Sequence, residues 1–540
     1  MARSGRNRAR PSPILIRPAA TIRERLGNVS SVIQPSDIRE VAVIGLGLMG
    51  SGIAELVARS GRRVDAIEID QTFLEQGMAR LRASLDRAVS RGKLTDGARD
   101  EIVARIRPTD DVAAGVTGAD LVIEAIPERI ELKKALFAQL DEACRADAIL
   151  ATNTSSLSIT EIAGGTQYPA RVAGMHFFNP APVMKLVELI STVLTEPEVA
   201  ETLALLSRDL GKTPVQVSDR AGFIVNALLF PYLNHAVRLL ETAQATREDI
   251  DKAATAGLGL PMGPLTLLDL IGLDTSLSIL ETLQAEFGGT RYVHASLLRK
   301  LCDARLFGRK SGRGFYDYRR QRPPAAPEAE HLGPVPAEVA MIAEQDERLD
   351  ELASQITAAG ISLVPHPTDE TELVIVAADP RHRVLDAALA AGHPADVVGI
   401  NFVEAGNGKP GLTELVLPDV TAASTARRAA ALAARIGLNA VISRDRPGFL
   451  IEALAYAQFN DAVRMVQDGY ASPAHIDTAM MLGCGYPRGP LRMLDEIGAG
   501  NVVSVLEAMH AATGDPAFAP LPLLAEYATA GTRFRADAEG

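Results

Sequence analysis

The stretch from Val41 to Asp70, VAVIGLGLMGSGIAELVARSGRRVDAIEID, limits what this chain can fold into more than any other segment. An apolar run leads into glycines spaced as GxGxxG, a helical pattern follows as far as Gly61, and a second apolar run ends at Glu68. This order predicts a strand, a phosphate-binding turn, a helix and a second strand. Because the strand, the helix and the closing acidic residue all stand at the expected spacing, we predict a dinucleotide-binding unit here.

The turn of this unit is predicted to hold the pyrophosphate, because free backbone N–H groups and the positive end of the helix dipole meet there. The turn residues are Gly45, Leu46, Gly47, Leu48, Met49 and Gly50. The Glu68 carboxylate can accept hydrogen bonds from adenosine ribose hydroxyls and would repel a 2′-phosphate, which favours NAD over NADP. Arg62 and Arg63 leave NADP open, although solvated charges at a helix end are their plainer role.

Composition and charge narrow the class of protein. Of the 540 residues, 47% are hydrophobic and 23% are charged, as in globular proteins with a sizeable core. The length suggests about three to five domains. No run of about 18 uncharged apolar residues occurs, so no membrane span is predicted. A net charge of -12 argues against nucleic acid as the main partner.

The cysteines and the N-terminal composition bear on the cellular compartment of the protein. Cys144, Cys302 and Cys484 are too far apart for a disulfide framework or a zinc site, so no metal is predicted and a reducing, cytoplasmic setting fits. Residues 1–36 are expected to form a basic flexible tail, because seven arginines fall within the first 25 residues. A mitochondrial presequence is the alternative that this composition leaves open.

Strand and helix patterns alternate after the opening unit. They predict an α/β, doubly wound and largely parallel sheet of the Rossmann type over residues 37–217, with a helical hairpin at 71–106. Helical periodicity replaces this alternation over 218–318 and predicts an all-α domain. The Pro-rich stretch at 319–336 is predicted to be a stiff, extended linker.

The second half of the chain repeats the first. The blocks DRAGFIVNALL, EDIDKA and LPMGPLTLLD begin at 219, 248 and 260 and recur as DRPGFLIEALA, AHIDTA and YPRGPLRMLD at 445, 474 and 486, each shifted by 226 positions. Upstream of these blocks the repeat is shortened and has no GxGxxG. We therefore predict a reduced, non-binding Rossmann-like domain over 337–443 and a second helical domain over 444–540.

Five ordered motifs between residues 38 and 318 resemble the 3-hydroxyacyl-CoA dehydrogenases, namely VAVIGLGLMGSGIA, TNTSSL, GMHFFNPAPVMKLVE, DRAGFIVN and GLPMGP. The two-copy layout resembles the bacterial 3-hydroxybutyryl-CoA and 3-hydroxyadipyl-CoA dehydrogenases. This resemblance implies that His176 is the acid/base and that Glu188 orients it, with Ser155 and Asn226 at the substrate oxygen. It also implies a set of residues near the cofactor: Glu128, Lys133, Ser155, Asn179 and Lys310.

Alcohol oxidation explains why such a pair is needed. One group must take the hydroxyl proton while a hydride leaves the same carbon for the nicotinamide. An imidazole titrates near the working pH, and a carboxylate on its other nitrogen fixes the tautomer and stabilises the imidazolium. The plainer roles are a structural strand histidine for His176 and surface lysines for Lys133 and Lys310. The basic hairpin at 71–106 resembles the arm that holds coenzyme A phosphates, or it is simply a solvated face.

The second copy is expected to be catalytically empty. At the positions aligned with the base, its carboxylate and the substrate asparagine, this copy has Asn401, Glu414 and Glu452. Its helical blocks are retained, which indicates a structural role. We hypothesise that the two helical domains pack as an intrachain pseudo-dimer, on which a homo-oligomer could be built.

The combined prediction is reversible, NAD-dependent oxidation of an (S)-3-hydroxyacyl-CoA to the 3-ketoacyl-CoA, at one active site per chain. The β-hydroxyacid dehydrogenases share a GLGLMG-like opening, but they use a lysine as acid/base. A non-catalytic NADH-binding relative is the second alternative, and the intact set around His176 argues against it. The acyl chain length does not follow from these residues.

Overall fold

The computed structural model describes residues 31–319, 333–342, 347–403 and 411–535. Residues 1–30 of the predicted basic tail and residues 320–332 of the predicted linker lie outside these ranges. Within the described ranges, no helix has the length and apolar character needed to cross a bilayer.

The first sheet has eight strands in the order β3-β2-β1-β4-β5-β6-β7-β8. These strands are β1 (Glu40–Ile44), β2 (Arg63–Ile67), β3 (Ile106–Thr109), β4 (Leu121–Glu124), β5 (Ile149–Thr152), β6 (Val172–Phe177), β7 (Leu186–Ser191) and β8 (Thr213–Ser218). All neighbours are parallel except β6 and β7, which pair antiparallel. This confirms the predicted largely parallel α/β sheet. The central strands β1 and β4 to β7 are almost wholly buried because helices cover the sheet on both faces, whereas the edge strands β3 and β8 are partly exposed.

The helices of this sheet domain are α1 (Leu48–Arg59), α2 (Gln71–Ser90), α3 (Asp96–Ala104), α4 (Val112–Val116), α5 (Ile130–Ala143), α6 (Ile159–Gly164) and α7 (Pro197–Asp209). Side-chain caps fix several of their starts. The Asp70 carboxylate accepts a hydrogen bond from the Phe73 N–H, and the Thr95 hydroxyl accepts one from the Ala98 N–H. Such caps satisfy the free N–H groups of the first turn, so α2 and α3 form the two arms of a hairpin.

The first helical unit contains α8 (Val225–Glu241), α9 (Arg247–Lys252), α10 (Pro264–Ile271), α11 (Leu273–Phe287) and α12 (Ser296–Asp303). A π-helical turn at Ala253–Gly257 continues α9. The carboxylate of Asp269, on α10, accepts hydrogen bonds from the backbone N–H groups of Phe315 and Tyr316, both at 2.9 Å. These bonds fasten the segment after α12 onto the helical unit.

The second sheet has six strands in the order β10-β9-β11-β12-β13-β14. They are β9 (Glu338–Ile342), β10 (Ser362–Val364), β11 (Leu373–Ala377), β12 (Val397–Val403), β13 (Leu412–Leu417) and β14 (Ala440–Arg444), with α13 (Glu347–Ala358), α14 (Val384–Ala390) and α15 (Ala423–Arg435). This order matches β2-β1-β4-β6-β7-β8. In the described part of the second copy, no strand corresponds to β3 or β5, which accounts for the shortening seen in the sequence.

The last five helices are α16 (Ile451–Gln467), α17 (Pro473–Cys484), α18 (Pro490–Ile497), α19 (Ala499–Thr513) and α20 (Pro522–Ala530). α16 packs against α8, and one apolar core runs through both helical units. Two contacts between the copies form a symmetric pair, in which each helical unit binds the end of the last strand of the other copy's sheet. The Gln244 side chain donates to the Arg444 carbonyl at 2.8 Å. The Tyr470 hydroxyl donates to the Ser218 carbonyl at 3.2 Å. Because each residue is 226 positions from its counterpart, the two copies are related by a pseudo-twofold axis, as subunits are in a symmetric dimer.

Candidate active site

The strand pairing of β6 with β7 brings His176 and Glu188 together. The two residues are directly opposite in the antiparallel register, and His176 Nδ1 lies 2.7 Å from Glu188 Oε2. Side chains of opposite residues on one face of such a pair lie close enough to interact. His176 is 7% exposed and Glu188 is fully buried, so the carboxylate has no direct contact with solvent.

The start of α8 holds the second carboxylate oxygen. Glu188 Oε1 accepts hydrogen bonds from the backbone N–H groups of Ile224 and Val225, each at 3.1 Å. Phe223, just before them, has a positive φ of 49°, a strained conformation for a residue with a bulky side chain. Its ring centroid lies 5.6 Å from that of His176. The conformation of Phe223 therefore aims two N–H donors at Glu188 and places a ring against the histidine.

His176 opens into a cavity of about 370 Å³ between the sheet and the helical unit. Seven predicted site residues line this cavity: Met49, Glu128, Lys133, Ser155, His176, Asn179 and Asn226. Asn226 comes from α8, and its amide donates to the Ser155 carbonyl at 3.4 Å. The fold thus gathers side chains from both units around one opening.

Five lining residues were absent from the sequence prediction: Ala125, Ile126, Asn153, Phe177 and Phe178. Asn153 and Phe178 have contacts around the end of β6. The Asn153 side-chain oxygen accepts a hydrogen bond from the Phe177 N–H at 2.9 Å, which fixes the end of β6. The Phe178 ring lies 4.6 Å from the His176 ring. Both residues stand inside motifs already singled out, TNTSSL and GMHFFNP, so the signal lay in positions adjacent to the predicted ones.

Glu128 organises the loop that carries Ser155. Its Oε1 accepts hydrogen bonds from the Thr154 hydroxyl at 2.7 Å and from both the N–H and the hydroxyl of Ser155, at 2.9 and 3.2 Å. Burial raises the pKa of Glu128, but the charge of Lys133 and these hydrogen bonds outweigh burial and hold the pKa below its ordinary value. An ionised Glu128 is a pure acceptor, so it keeps this loop in one conformation.

Lys133 is not a surface lysine, because only 1% of it is exposed. Its ammonium lies 2.6 Å from Glu124 Oε1 and donates to the Ile126 carbonyl at 3.3 Å. Lys310 differs. It lies beyond α12, its ammonium is 2.5 Å from Asp274 Oδ1, and it does not line the cavity. The structure therefore brings Lys133 into the site and leaves Lys310 on the helical unit.

The phosphate turn has the shape that a dinucleotide requires. Gly45 has a φ of 87°, and a Cβ on Gly50 would lie 1.7 Å from the Gly45 carbonyl oxygen, so neither position tolerates a side chain. A Cβ on Gly47 would meet nothing within 4 Å, so this glycine faces open space at the N-terminus of α1. These residues fit a bound pyrophosphate beside a helix start.

The acidic and basic residues near the turn decide its cofactor. Glu68 Oε1 accepts a hydrogen bond from the Leu46 N–H at 2.6 Å, so the carboxylate closes over the turn. Arg62 is buried and donates to the Ile38 carbonyl and to Asp209, while Arg63 pairs with Glu40. Both arginines are thus engaged in the fold, which removes the reason for considering NADP.

The second copy repeats the geometry without the imidazole. Asn401 and Glu414 are directly opposite in the β12–β13 register, and Glu414 Oε1 accepts a hydrogen bond from the Leu450 N–H at 2.7 Å. The Asn401 amide donates to Glu452 at 3.4 Å. Burial raises the pKa of both carboxyl groups. Among the described residues, no group of three or more His, Cys, Asp or Glu side chains is placed to hold a metal ion.

A glycine-rich phosphate turn with an acidic neighbour, next to a cavity that contains a buried imidazole–carboxylate pair, defines the class of nicotinamide-dependent oxidoreductases. The chain belongs to the 3-hydroxyacyl-CoA dehydrogenase family. The family's NAD-binding domain matches residues 40–220, and its C-terminal domain matches 222–318 and again 448–540. The cofactor is therefore NAD.

Known proteins support this assignment over about nine-tenths of the chain. The chain is 37% identical to the 3-hydroxyadipyl-CoA dehydrogenase of Escherichia coli K12, over 91% of this chain and 98% of that protein. It is 47% identical to a 3-hydroxybutyryl-CoA dehydrogenase of Mycobacterium tuberculosis H37Rv, over 52% of this chain and 99% of that protein. The crystal structure of an E. coli K12 3-hydroxybutyryl-CoA dehydrogenase matches with a TM-score of 0.78 and 36% identity, over 92% of this chain and 99% of that one.

Proposed function

We propose that this protein oxidises (S)-3-hydroxyacyl-CoA to 3-ketoacyl-CoA with NAD, reversibly, and that His176 and Glu188 act as the acid/base pair. The observation that carries this proposal is the 2.7 Å contact between His176 Nδ1 and Glu188 Oε2. In this contact the carboxylate engages Nδ1 of the imidazole, and Nε2 is left for a substrate in the cavity. The names of the relatives support an acyl-CoA substrate.

The protein's part in the reaction is proton transfer and positioning. NAD, when bound, supplies the hydride acceptor. As the hydride leaves C3, His176 Nε2 takes the hydroxyl proton, and Glu188 stabilises the resulting imidazolium through Nδ1. In the reverse direction the same imidazolium returns its proton to the alkoxide oxygen. Glu188 therefore fixes both the tautomer and the orientation of the ring.

Ser155 and Asn226 are proposed to contact the substrate oxygen. They approach the cavity from opposite units, Ser155 from the loop after β5 and Asn226 from the first turn of α8. A donor aimed at an oxygen that becomes charged stabilises the transition state by ~2.7–4 kcal/mol in well-formed sites. Because Asn226 comes from the helical unit, substrate alignment depends on how that unit docks on the sheet.

The cofactor-binding roles belong to the same proposal. The turn from Gly45 to Gly50 holds the pyrophosphate, and Glu68 accepts from the adenosine ribose. Glu128, Lys133, Ser155 and Asn179 surround the nicotinamide end, since all four line the cavity. Lys310 is retained as a cofactor residue through the family resemblance alone.

Replacing His176 by Gln tests the acid/base role. The variant should lose acetoacetyl-CoA-dependent consumption of NADH, because Gln cannot carry the proton, while NADH binding followed by fluorescence should stay unchanged. Asn401→Ala, at the equivalent register position of the second copy, is the matched control and should keep full activity. Turnover by the His176→Gln variant would refute the assignment of the base.

The substrate class needs its own measurement. Steady-state rates with a panel of acyl-CoAs, including the adipyl compound, together with the free 3-hydroxy acids, separate CoA-ester oxidation from a β-hydroxyacid dehydrogenase. The absence of turnover with every compound would favour the non-catalytic NADH-binding alternative. We further propose a cytoplasmic location, from the widely spaced cysteines, and no nucleic-acid partner, from the net charge of -12.

A further inference from the structure

A residue of the second copy lies against the active site of the first. Gly483, in the last turn of α17, packs against residues of β7 and α8 and against Phe178, just after β6. A Cβ built on Gly483 would lie 3.0 Å from Leu186 Cδ2, 3.0 Å from Val225 Cγ2 and 3.4 Å from Phe178 Cε1. Distances near 3.0 Å between carbon atoms are shorter than van der Waals contact, so a side chain here would push its neighbours.

Each of these three neighbours supports the His176–Glu188 pair. Leu186 is two positions before Glu188 on β7, and the Val225 N–H donates to Glu188 Oε1 at 3.1 Å. The Phe178 ring lies 4.6 Å from the His176 ring. A side chain at position 483 would therefore displace groups that lie against both His176 and Glu188.

We propose that Gly483 is a positioning residue for the reaction. The catalytically empty second copy packs behind the active site of the first copy, and only a glycine at position 483 leaves His176 and Glu188 in productive alignment. This inference rests on the proposed function. It also gives the second copy a purpose in turnover beyond stabilising the chain.

The surroundings of Glu188 support the same conclusion. Burial raises the pKa of Cys484 to about 12, with a further contribution from the charge of Glu188, so the thiol next to Gly483 stays protonated beside the carboxylate. Tyr470, at the turn between α16 and α17, binds the end of β8 through the Ser218 carbonyl. The second helical unit thus closes over the buried side of the pair.

The pseudo-twofold axis provides a matched position without catalytic consequence. Gly257 is 226 positions before Gly483, and a Cβ on it would lie 3.2 Å from Ile451 Cδ1 and 3.3 Å from Leu412 Cδ2. Ile451 and Leu412 are the counterparts of Val225 and Leu186, but the strand pair of their copy carries Asn401 and Glu414 instead of an imidazole–carboxylate pair. Gly257 and Ile451 also line a cavity of about 420 Å³, so the contacts at 257 are somewhat looser than those at 483. The same substitution at 257 therefore tests the equivalent packing where no acid/base pair is present.

The experiment compares Gly483→Ala and Gly257→Ala in the full-length chain, with acetoacetyl-CoA and NADH. Both glycines are in helical turns, so alanine introduces no backbone strain. Misplacement of reacting groups by about 1 Å lowers the rate on the order of a hundredfold. Alanine at position 483 requires its neighbours to shift by only a few tenths of an ångström. We therefore expect kcat of Gly483→Ala to fall roughly three- to tenfold. Gly483→Val should lower kcat further. Gly257→Ala should stay within a factor of two of the wild type.

Two further readouts separate positioning from a general packing defect. Gly483→Ala should leave the NADH dissociation constant unchanged and shift the pH profile of kcat, whereas Gly257→Ala should leave both unchanged at a similar melting temperature. Equal kcat values and equal pH profiles in the two variants would overturn the inference. An inactive wild type, or an active His176→Gln variant, would instead overturn the proposed function, so the two failures are distinguishable.

Discussion

Replacing Glu188 by Gln is the sharpest test of how the active site works, because the change keeps the size of the side chain and removes only its charge. Glu188 Oε1 accepts from two backbone N–H groups, so the amide oxygen of Gln should take this side. The amide NH₂ would then face His176 Nδ1. That nitrogen would have to accept a hydrogen bond, and the ring proton would move to Nε2, the atom that we propose receives the substrate proton.

The size of the effect follows from the lost contact. A hydrogen bond to a charged group contributes about 1.5–3 kcal/mol, which corresponds to roughly 10- to 150-fold in rate. The wrong tautomer adds to this loss, so kcat should fall by at least about 100-fold. NADH binding should not change, because Glu188 does not line the cavity.

Glu414→Gln is the matched control, because Glu414 has the same register position and a backbone N–H donor in the second copy. The assay is the loss of NADH absorbance with saturating acetoacetyl-CoA, and folding is checked by thermal unfolding. A Glu188→Gln variant within threefold of the wild-type kcat would refute the reasoning. So would an equal loss of activity in Glu414→Gln, since the effect would then reflect packing.

Three other predictions follow from the structure. Glu68→Ala should weaken NADH binding by about tenfold at nearly unchanged kcat, because the carboxylate that accepts from the adenosine ribose is lost. Fluorescence titration measures the affinity for NADH. An unchanged affinity would exclude a role for Glu68. Burial raises the pKa of the Glu452 carboxyl above its ordinary value of 4.5, so the contribution of this group to stability is lost as the pH rises above 4.5. Glu452→Gln should therefore raise the melting temperature at pH 8 more than at pH 5. The control Glu507→Gln, at an exposed position, should show no such difference. Equal shifts of the Glu452→Gln melting temperature at the two pH values would contradict this reasoning. A chain ending at Tyr318 exposes the face of α8 that packs on α16 and should aggregate or self-associate in light scattering, so a stable, active monomer would disprove the pseudo-dimer.

Local sequence patterns were sufficient for the fold class of the sheet domain and for its opening elements. The opening motif, the strand runs and the capping residues Asp70 and Thr95 act within a few positions of one another, so their effect on the backbone is visible in the sequence. The repeat, shifted by 226 positions, likewise predicted two related helical units. The second sheet was harder to predict, because its β9 carries no phosphate turn to identify it.

The candidate site depended on residues that are distant in sequence. The sequence predicted that His176 and Glu188 stand on two successive strands, and only the antiparallel pairing of these strands places Nδ1 2.7 Å from the carboxylate. The sequence offered Lys133 and Lys310 equally as cofactor-site lysines. Only the fold shows that Lys133 is buried beside Glu124, whereas Lys310 pairs with Asp274 on the helical unit. The sequence contained no sign of Gly483, whose role depends on how two helical units dock. Local propensities fix elements, whereas non-local packing fixes which side chains meet, so the family was readable from the chain and the geometry of the candidate site only from the fold.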